Sequence, residues 1–168
     1  MTRIHGFAPL AAADARALIL GSMPSVASLD KQQYYGKPQN AFWKIMGDLF
    51  DAGSNKDYAE RVSVLQDCGI AVWDVIAECE RAGSLDSAID MQSVVVNDFS
   101  GFLSQHPDLK HVFFNGRTAE KTWQRFVRGT LPDSATALRY RTLPSTSPAM
   151  ASLNYEAKLE QWTVLLRA

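Results

Sequence analysis

ALILGSMPS, residues 17–25, joins a short apolar run to a turn that is rich in small and hydroxyl-bearing residues. An apolar run of this length, without polar residues in alternation, is typical of a strand that is buried on both faces of a parallel sheet. In open α/β sheets, ligands bind outside the carboxyl ends of the parallel strands. The stretch therefore predicts a buried strand over residues 17–20 and a ligand-binding edge over residues 21–25.

Three further apolar segments resemble this one, and patterns typical of helices separate them. The four predicted strands cover residues 17–20, 70–73, 112–114 and 140–143. The predicted helices cover residues 40–50, 56–66, 98–106, 118–127 and 155–167. Strands that alternate with helices predict an α/β fold, here a three-layer α/β/α sandwich around a short central four-stranded parallel sheet. The carboxyl ends of all four strands then meet at one edge.

The composition predicts one globular domain over residues 1–168. Hydrophobic residues make up 46% of the chain and charged residues 21%, with a formal net charge of −1. No apolar run approaches the ~20 residues of a membrane helix, and the N-terminus lacks the layout of a signal peptide, so we expect a cytoplasmic protein with no membrane segment. The net charge argues against a protein that binds DNA by charge alone. Seven basic and two acidic residues between positions 110 and 141 are compatible with a basic face, or with ordinary solvated helices.

The residue inventory disfavours several kinds of site. Cys68 and Cys79 are too few for a four-thiolate iron–sulfur cluster, and the three histidines lack the spacing of metal ligands. We therefore expect no metal and no cofactor. The chain also lacks the glycine-rich phosphate loop and the dinucleotide-binding fingerprint. The predicted edge offers amides, hydroxyls and aromatic rings, which suit a flat, polar, heteroaromatic ligand.

Three segments of the chain resemble a known family. They are LILGSMPS (residues 18–25), YYGKPQNAFWKIM (34–46) and LPSTSPA (143–149), and they are similar to motifs of the uracil-DNA glycosylase superfamily. The most similar branch is that of the hypoxanthine-DNA (deoxyinosine) glycosylases, followed by the mismatch-specific thymine/uracil glycosylases. AVWDVIAECERAGSLDSAI (71–89) and VFFNGRTAEKTW (112–123) also resemble that branch, so the resemblance covers nearly the whole chain.

The resemblance implies roles for residues of the first two segments. It assigns Asn40 as the catalytic residue that positions water, and Tyr35 as the ring on which the extruded base stacks. The turn after the first strand adds base contacts from Gly21, Ser22 and Met23 and a DNA contact from Ser25. Met23 stands where many relatives carry Asp or Asn, so the water-positioning role falls to Asn40. Without the resemblance, Asn40 is typical of an N-cap for a helix that starts at Ala41.

Residues 143–150 correspond to the second motif of the superfamily, whose loop enters the DNA and holds phosphates. We expect DNA contacts from Pro144, Ser145, Thr146, Ser147, Pro148 and Met150. The hydroxyls suit phosphates while the prolines hold the loop, and the alternative is a rigid turn with no ligand. Met150 is either an apolar wedge that fills the gap left by the flipped base or a surface residue with no role. Leu143 stands where many relatives carry His or Asn.

Two polar residues at the predicted strand ends each have two possible roles. Asn115 either reads the edge of the base with its amide or caps the following helix. Asp74 either tunes the polarity of the pocket or caps a helix. Arg117, Lys121 and Arg125 are candidates for contacts with the DNA backbone.

The function that the resemblance implies is that of a DNA-deoxyinosine glycosylase, a monomer acting on DNA that contains deaminated bases. Such an enzyme flips the base, above all hypoxanthine, out of the helix and hydrolyses its N-glycosidic bond, which starts base excision repair. Downstream abasic-site repair enzymes are the implied partners. Three alternatives remain: a G:T/U mismatch-specific uracil/thymine-DNA glycosylase, a catalytically inactive DNA-binding relative, and a hydrolase of free nucleosides.

Overall fold

The computed structural model describes residues 2–168. Its strands, in chain order, are β1 Thr2–His5, β2 Ala17–Gly21, β3 Ile70–Asp74, β4 Ile76–Arg81, β5 Ile89–Val96, β6 His111–Asn115 and β7 Arg139–Leu143. Its α-helices are α1 Val26–Lys31, α2 Phe42–Phe50, α3 Tyr58–Asp67, α4 Phe99–Gln105, α5 Arg117–Thr122 and α6 Tyr155–Trp162. Helix α5 continues as a π-helix over Trp123–Val127, and α6 continues as a 3₁₀-helix over Thr163–Arg167.

The central sheet contains β2, β3, β6 and β7 in the spatial order β3-β2-β6-β7, and every neighbouring pair is parallel. The four predicted strands are therefore confirmed, and so is the α/β fold around a four-stranded parallel sheet. All five residues of β2 are buried. Because successive residues of a strand point to opposite faces, this burial means that the rest of the chain covers both faces of the sheet.

The carboxyl ends of the four parallel strands lie along one edge of the sheet. Gly21 lies opposite Asp74 where β2 pairs with β3, and Asn115 lies opposite Leu143 where β6 pairs with β7. The sheet therefore brings together the turn after β2, the amide at the end of β6 and the loop after β7, as the sequence predicted.

The five predicted helices are confirmed, with their α-helical parts one to five residues shorter than predicted. Helix α1 was not predicted, because six residues are too few to show a periodic apolar face. Side-chain caps start four of the helices: Ser25 for α1, Asp57 for α3, Asp98 for α4 and Asn154 for α6. Within residues 2–168, no helix is long and apolar enough to cross a membrane.

A second sheet, which the sequence did not predict, contains β1, β4 and β5 in the antiparallel order β1-β4-β5. Register shifts interrupt the pairing of β4 with β5 between Ile76 and Glu78 and again between Glu78 and Glu80. Such bulges break the two-residue alternation by which a half-buried strand is recognised in a sequence. Met23 packs in the small apolar cluster of this sheet, which joins the sheet to the turn after β2.

Candidate active site

A cavity of about 430 Å³ opens at the edge where the four parallel strands end. It is lined by residues 21–25, 34–35, 84–87, 115–118 and 145–150, together with Ser28, Lys37, Asn40 and Asp74. Its volume lies in the range of small-molecule sites. Of the residues predicted to contact the base or the DNA, all but Pro144, Lys121 and Arg125 line it. The carbonyl of Pro144 instead accepts a hydrogen bond from the indole of Trp162 at 2.9 Å.

Tyr35 lies in the cavity wall in a constrained position. Its ring stacks on Phe42, with centroids 4.0 Å apart and planes inclined by 24°. Its backbone has a φ of 54°, in the left-handed region that side chains rarely adopt, and such outliers cluster at functional sites. Because Phe42 occupies one face of the ring, a ligand can stack only on the other face.

Asn115 joins three parts of the site from the end of β6. Its Nδ2 donates to the hydroxyl of Tyr35 at 3.1 Å and to Oγ1 of Thr146 at 3.0 Å, and its Oδ1 accepts from the backbone N–H of Thr146 at 2.9 Å. Both amide hydrogens are used within the protein, so one lone pair of Oδ1 remains for a ligand. The capping alternative is wrong, because the N-cap residue of α5 is Gly116 and no side chain caps it.

Asn40 lines the cavity immediately before α2. Its Oδ1 accepts a 3.0 Å hydrogen bond from the backbone N–H of Phe42, while the N-cap position belongs to Ala41. This bond orients the side chain and leaves Nδ2 and the second lone pair of Oδ1 for a water or a ligand. The backbone N–H of Ala41 donates to the carbonyl of Thr146 at 3.0 Å, which ties this corner to the loop after β7.

The second-motif loop, residues 143–150, is held from inside the protein. Thr146 is only 1% exposed, and its N–H, carbonyl and hydroxyl all have partners in the protein, so its position does not support the predicted phosphate contact. Oγ of Ser145 accepts from the N–H of Ser147 at 3.1 Å. The buried Lys158 donates to the carbonyl of Ser147 at 3.4 Å. Pro148 is exposed at the cavity mouth and Met150 is half-buried there.

The turn after β2 contacts a loop that the sequence did not place at the site, residues 84–87. Oγ of Ser22 donates to Oδ1 of Asp86 at 2.7 Å, and the N–H of Val26 donates to Oγ of Ser84 at 2.9 Å. Oγ of Ser25 accepts from the N–H of Ser28 at 3.1 Å, as the cap of α1. The hydroxyls of Ser22 and Ser25 therefore already have partners in the protein, and both residues still line the cavity.

Asp74 ends β3 and is 4% exposed in the cavity wall. Burial, together with the negative charge of Asp86, raises the pKa of Asp74 to about 7, and Arg81 opposes this shift. Its Oδ2 has no hydrogen-bond partner in the part of the chain that the structure describes. The helix-cap alternative is wrong, because Asp74 is followed by β4 rather than by a helix. The carboxyl is a buried polar group of the cavity.

Three basic side chains form a row on one helix, and the row begins at the cavity. Arg117, Lys121 and Arg125 are exposed and lie four residues apart along α5 and its π-helical continuation, so they share one side of the helix. Arg117 lines the cavity, whereas Lys121 and Arg125 line an adjoining depression. Among residues 2–168, no group of three or more His, Cys, Asp or Glu side chains could hold a metal ion.

The family model described as the uracil DNA glycosylase superfamily matches residues 8–166. The chain belongs to this superfamily. A hypoxanthine DNA glycosylase of Methanosarcina acetivorans is 34% identical over 164 residues, which cover 97% of this chain and 98% of the relative. A protein of the same name from Methanosarcina barkeri is 36% identical over 114 residues, which cover 67% of this chain and 71% of the relative. A solution NMR structure from Methanosarcina acetivorans, described provisionally as a uracil DNA glycosylase, has a TM-score of 0.77 and 34% identity, with 98% of this chain and 99% of that chain covered.

The comparisons confirm the superfamily that the sequence motifs resemble. Two features of the cavity lie outside the residues predicted to contact the substrate: the buried carboxyl of Asp74 and the loop of residues 84–87. Asp74 directly follows an apolar run at the predicted edge, and the sequence therefore predicted it as a pocket residue or a helix cap, without a contact to the substrate. The loop of residues 84–87 carries no comparable signal, because it reaches the cavity through the second sheet, whose strands the sequence did not predict.

Proposed function

We propose that this chain is a monofunctional DNA glycosylase that excises hypoxanthine from DNA containing deoxyinosine. The observation that carries this proposal is the cavity at the strand ends, where Asn40, Tyr35 and the second-motif loop lie together. The name of the relatives, hypoxanthine DNA glycosylase, supports the same activity. A base inside a duplex cannot reach such a cavity, so the nucleotide has to be flipped out of the stack.

The flipped base stacks on the face of Tyr35 that Phe42 leaves open. Stacking of a base on an aromatic side chain contributes about 1–3 kcal/mol. Burial raises the pKa of Tyr35 far above its usual range, so its hydroxyl stays un-ionised and keeps its hydrogen bond to Asn115. The remaining lone pair of Asn115 Oδ1 can then accept from an N–H on the edge of the base. Stacking and one edge contact together place the base, and backbone N–H groups of residues 21–23 add contacts.

Asn40 positions the water that attacks C1′ of the sugar. The N9–C1′ bond breaks with its electron pair leaving on the base, the sugar takes on oxocarbenium character, and the water adds to C1′ and releases a proton to solvent. Water suffices as the nucleophile for such a cation, so the amide has to orient it rather than activate it. The hydrogen bond from the Phe42 N–H to Oδ1 of Asn40 holds the amide in place for this task. The departing base anion takes up a proton from solvent, so the products are free hypoxanthine and an abasic site.

The DNA backbone is held at the mouth of the cavity. Ser145, Ser147 and Pro148 of the second-motif loop have accessible surface in the cavity and contact phosphates and sugars, together with Ser25. Met150 at the rim fills the space that the flipped base leaves in the stack. The row of Arg117, Lys121 and Arg125 extends the phosphate contacts along the duplex.

The proposed enzyme also has an expected domain organisation, oligomeric state, location and set of partners. We expect one domain over residues 1–168 that acts as a monomer in the cytoplasm, without metal or cofactor. The abasic site that it leaves is a substrate for strand-incising enzymes, so downstream abasic-site repair enzymes are the expected partners.

Single-turnover base release tests the proposal, with duplexes that each carry one deoxyinosine, uracil, xanthine or mismatched thymine. We expect hypoxanthine to be released fastest, and Asn40→Ala to slow that release by about 10²-fold, since positioning of a reactant is worth this much. Asn154→Ala is the matched control. Each substitution removes one side-chain oxygen that accepts from a backbone N–H at the start of a helix, but Asn154 does not line the cavity.

The same assay separates the alternatives. Faster release of uracil or mismatched thymine than of hypoxanthine would favour a mismatch-specific enzyme. DNA binding without release of any base would favour a catalytically inactive relative. Activity on free inosine would favour a nucleoside hydrolase. An equal effect of Asn40→Ala and Asn154→Ala would remove Asn40 from catalysis.

A further inference from the structure

The carboxyl of Asp74 occupies space that a side chain at position 21 would need. Gly21 lies opposite Asp74 in the pairing of β2 with β3, and a Cβ added to Gly21 would lie 2.5 Å from Oδ1 of Asp74 and 3.0 Å from the hydroxyl of Tyr35. The backbone carbonyl of Asp74 accepts a 2.8 Å hydrogen bond from Nδ2 of Asn97, which fixes the end of β3. The carboxyl is therefore built into the cavity wall, beside the ring on which the base is proposed to stack.

One oxygen of this carboxyl lacks a partner within the protein. Oδ2 of Asp74 is buried and makes no hydrogen bond in residues 2–168. Buried polar atoms in native proteins are paired in the great majority of cases, because an unpaired one costs the free energy of its lost hydration. Asp74 lines the cavity, so a rotation of its carboxyl group brings Oδ2 to the cavity surface, where a ligand can supply the missing partner.

The charged and titratable groups around Asp74 come from three other parts of the chain. Asp86 lies in the loop that contacts Ser22, Arg81 lies on β4, and Tyr34 and Tyr35 precede α2. Two nitrogens of the Arg81 guanidinium donate to the carbonyls of residues 24 and 83 at 2.6 and 2.8 Å, whereas its buried Nη1 has no partner in residues 2–168. No salt bridge to Asp74 forms among residues 2–168.

The carboxyl of Asp74 is consequently protonated in most molecules below about pH 6 and in about half of them near pH 7. Burial and the charge of Asp86 raise its pKa to about 7, against a partial opposing effect of Arg81. Both tyrosines have pKa values raised by burial, so they remain neutral neighbours throughout the physiological range.

We propose that Asp74 contacts the flipped base in its protonated form and donates a hydrogen bond from its carboxyl O–H to an acceptor atom on the edge of the base. This inference rests on the proposed function. A 6-oxopurine presents O6 and N7 as acceptors, and both gain negative charge as the base departs with the electron pair of the N9–C1′ bond. A neutral donor strengthens its hydrogen bond as this charge develops, whereas an ionised carboxylate would repel it. Asp74 is thus a catalytic residue whose active form carries the proton.

Asp74→Asn and Asp74→Ala separate this role from a structural one. Asparagine keeps the shape and offers an N–H donor that no pH in the working range removes, whereas alanine removes the donor. For single-turnover hypoxanthine release, we expect the wild-type rate to be level below pH 6 and to fall about tenfold per pH unit well above pH 7. Asp74→Asn retains release with no alkaline fall, and Asp74→Ala is about 10²-fold or more slower than the wild type below pH 6, where the wild-type carboxyl is protonated.

Binding to a duplex that carries a stable abasic-site analogue is the control for folding, since no base is present to contact residue 74. We expect all three proteins to bind this duplex alike and to unfold cooperatively. Two results would overturn the role of Asp74 and leave the proposed function intact, provided that the wild type excises hypoxanthine. One is an excision rate of Asp74→Ala within threefold of the wild-type rate, and the other is an alkaline fall in rate that persists in Asp74→Asn. Absence of excision by the wild type from every duplex would instead overturn the proposed function, and the role of Asp74 with it.

Discussion

Replacing Asn115 with alanine tests how the candidate site is assembled. The side chain makes three hydrogen bonds of 2.9 to 3.1 Å, which join the hydroxyl of Tyr35 to the backbone and hydroxyl of Thr146. Each such bond contributes about 1 kcal/mol net, and a buried N–H left without an acceptor costs about 1–3 kcal/mol. Thr146 is buried, so its N–H has little access to bulk water after the substitution. We expect the free energy of unfolding to fall by about 3–4 kcal/mol.

Urea and thermal unfolding, followed by circular dichroism, measure this loss. For a domain of this size about 1 kcal/mol lowers Tm by about 2–4 °C, so we expect a decrease of about 6–16 °C. Asn154→Ala is a one-bond reference, since it removes only the cap of α6 and costs about 1 kcal/mol. Base release, assayed at a temperature where both variants are folded, should fall for Asn115→Ala alone. A stability loss for Asn115→Ala no larger than that of Asn154→Ala would show that the three hydrogen bonds of Asn115 do not hold the site together.

Three further outcomes are expected. Gly21→Ala should slow base release by about 10²-fold, because the added Cβ would collide with Asp74 and Tyr35. Gly129→Ala is the control and should leave the rate unchanged, because its Cβ meets nothing within 4 Å. Equal rates for the two variants would contradict the crowding at position 21. Lys121→Ala should weaken the salt dependence of DNA binding: the magnitude of the slope of log K against log salt concentration should fall by about 0.9. An unchanged slope would show that Lys121 does not contact the DNA. Between pH 5 and pH 8, the free energy of unfolding of the wild type should fall by about 2.5 kcal/mol relative to that of Asp74→Asn. Over about two of these pH units the native state keeps a proton on Asp74 that the unfolded state has released, and each unit costs 1.36 kcal/mol. This stability is present at low pH and is lost as the pH rises through the native pKa of about 7; parallel stability curves for the two proteins would contradict the buried titration.

The central sheet and most of the helices could be predicted because their signals are local. An unbroken apolar run such as residues 17–20 marks a strand that is buried on both faces, and helical periodicity marks the segments between the strands. The second sheet could not be predicted in this way. Its strand β4 carries two register shifts against β5, and β1 pairs with β4 across more than 70 residues of intervening chain.

The pattern of apolar runs and turns is enough to predict that four parallel strands end at one edge and that Gly21, Asn40 and Tyr35 belong to segments near that edge. How the groups at this edge are used depends on the folded structure. Asn115 finds its partners 80 and 31 residues away in the chain, and these bonds occupy both of its amide hydrogens. Asp74 is buried between β2 and groups from β4 and the loop of residues 84–87, and its raised pKa follows from their combined effect. Local periodicity records which face of an element is apolar, whereas burial, pairing and protonation depend on groups that folding brings from distant positions.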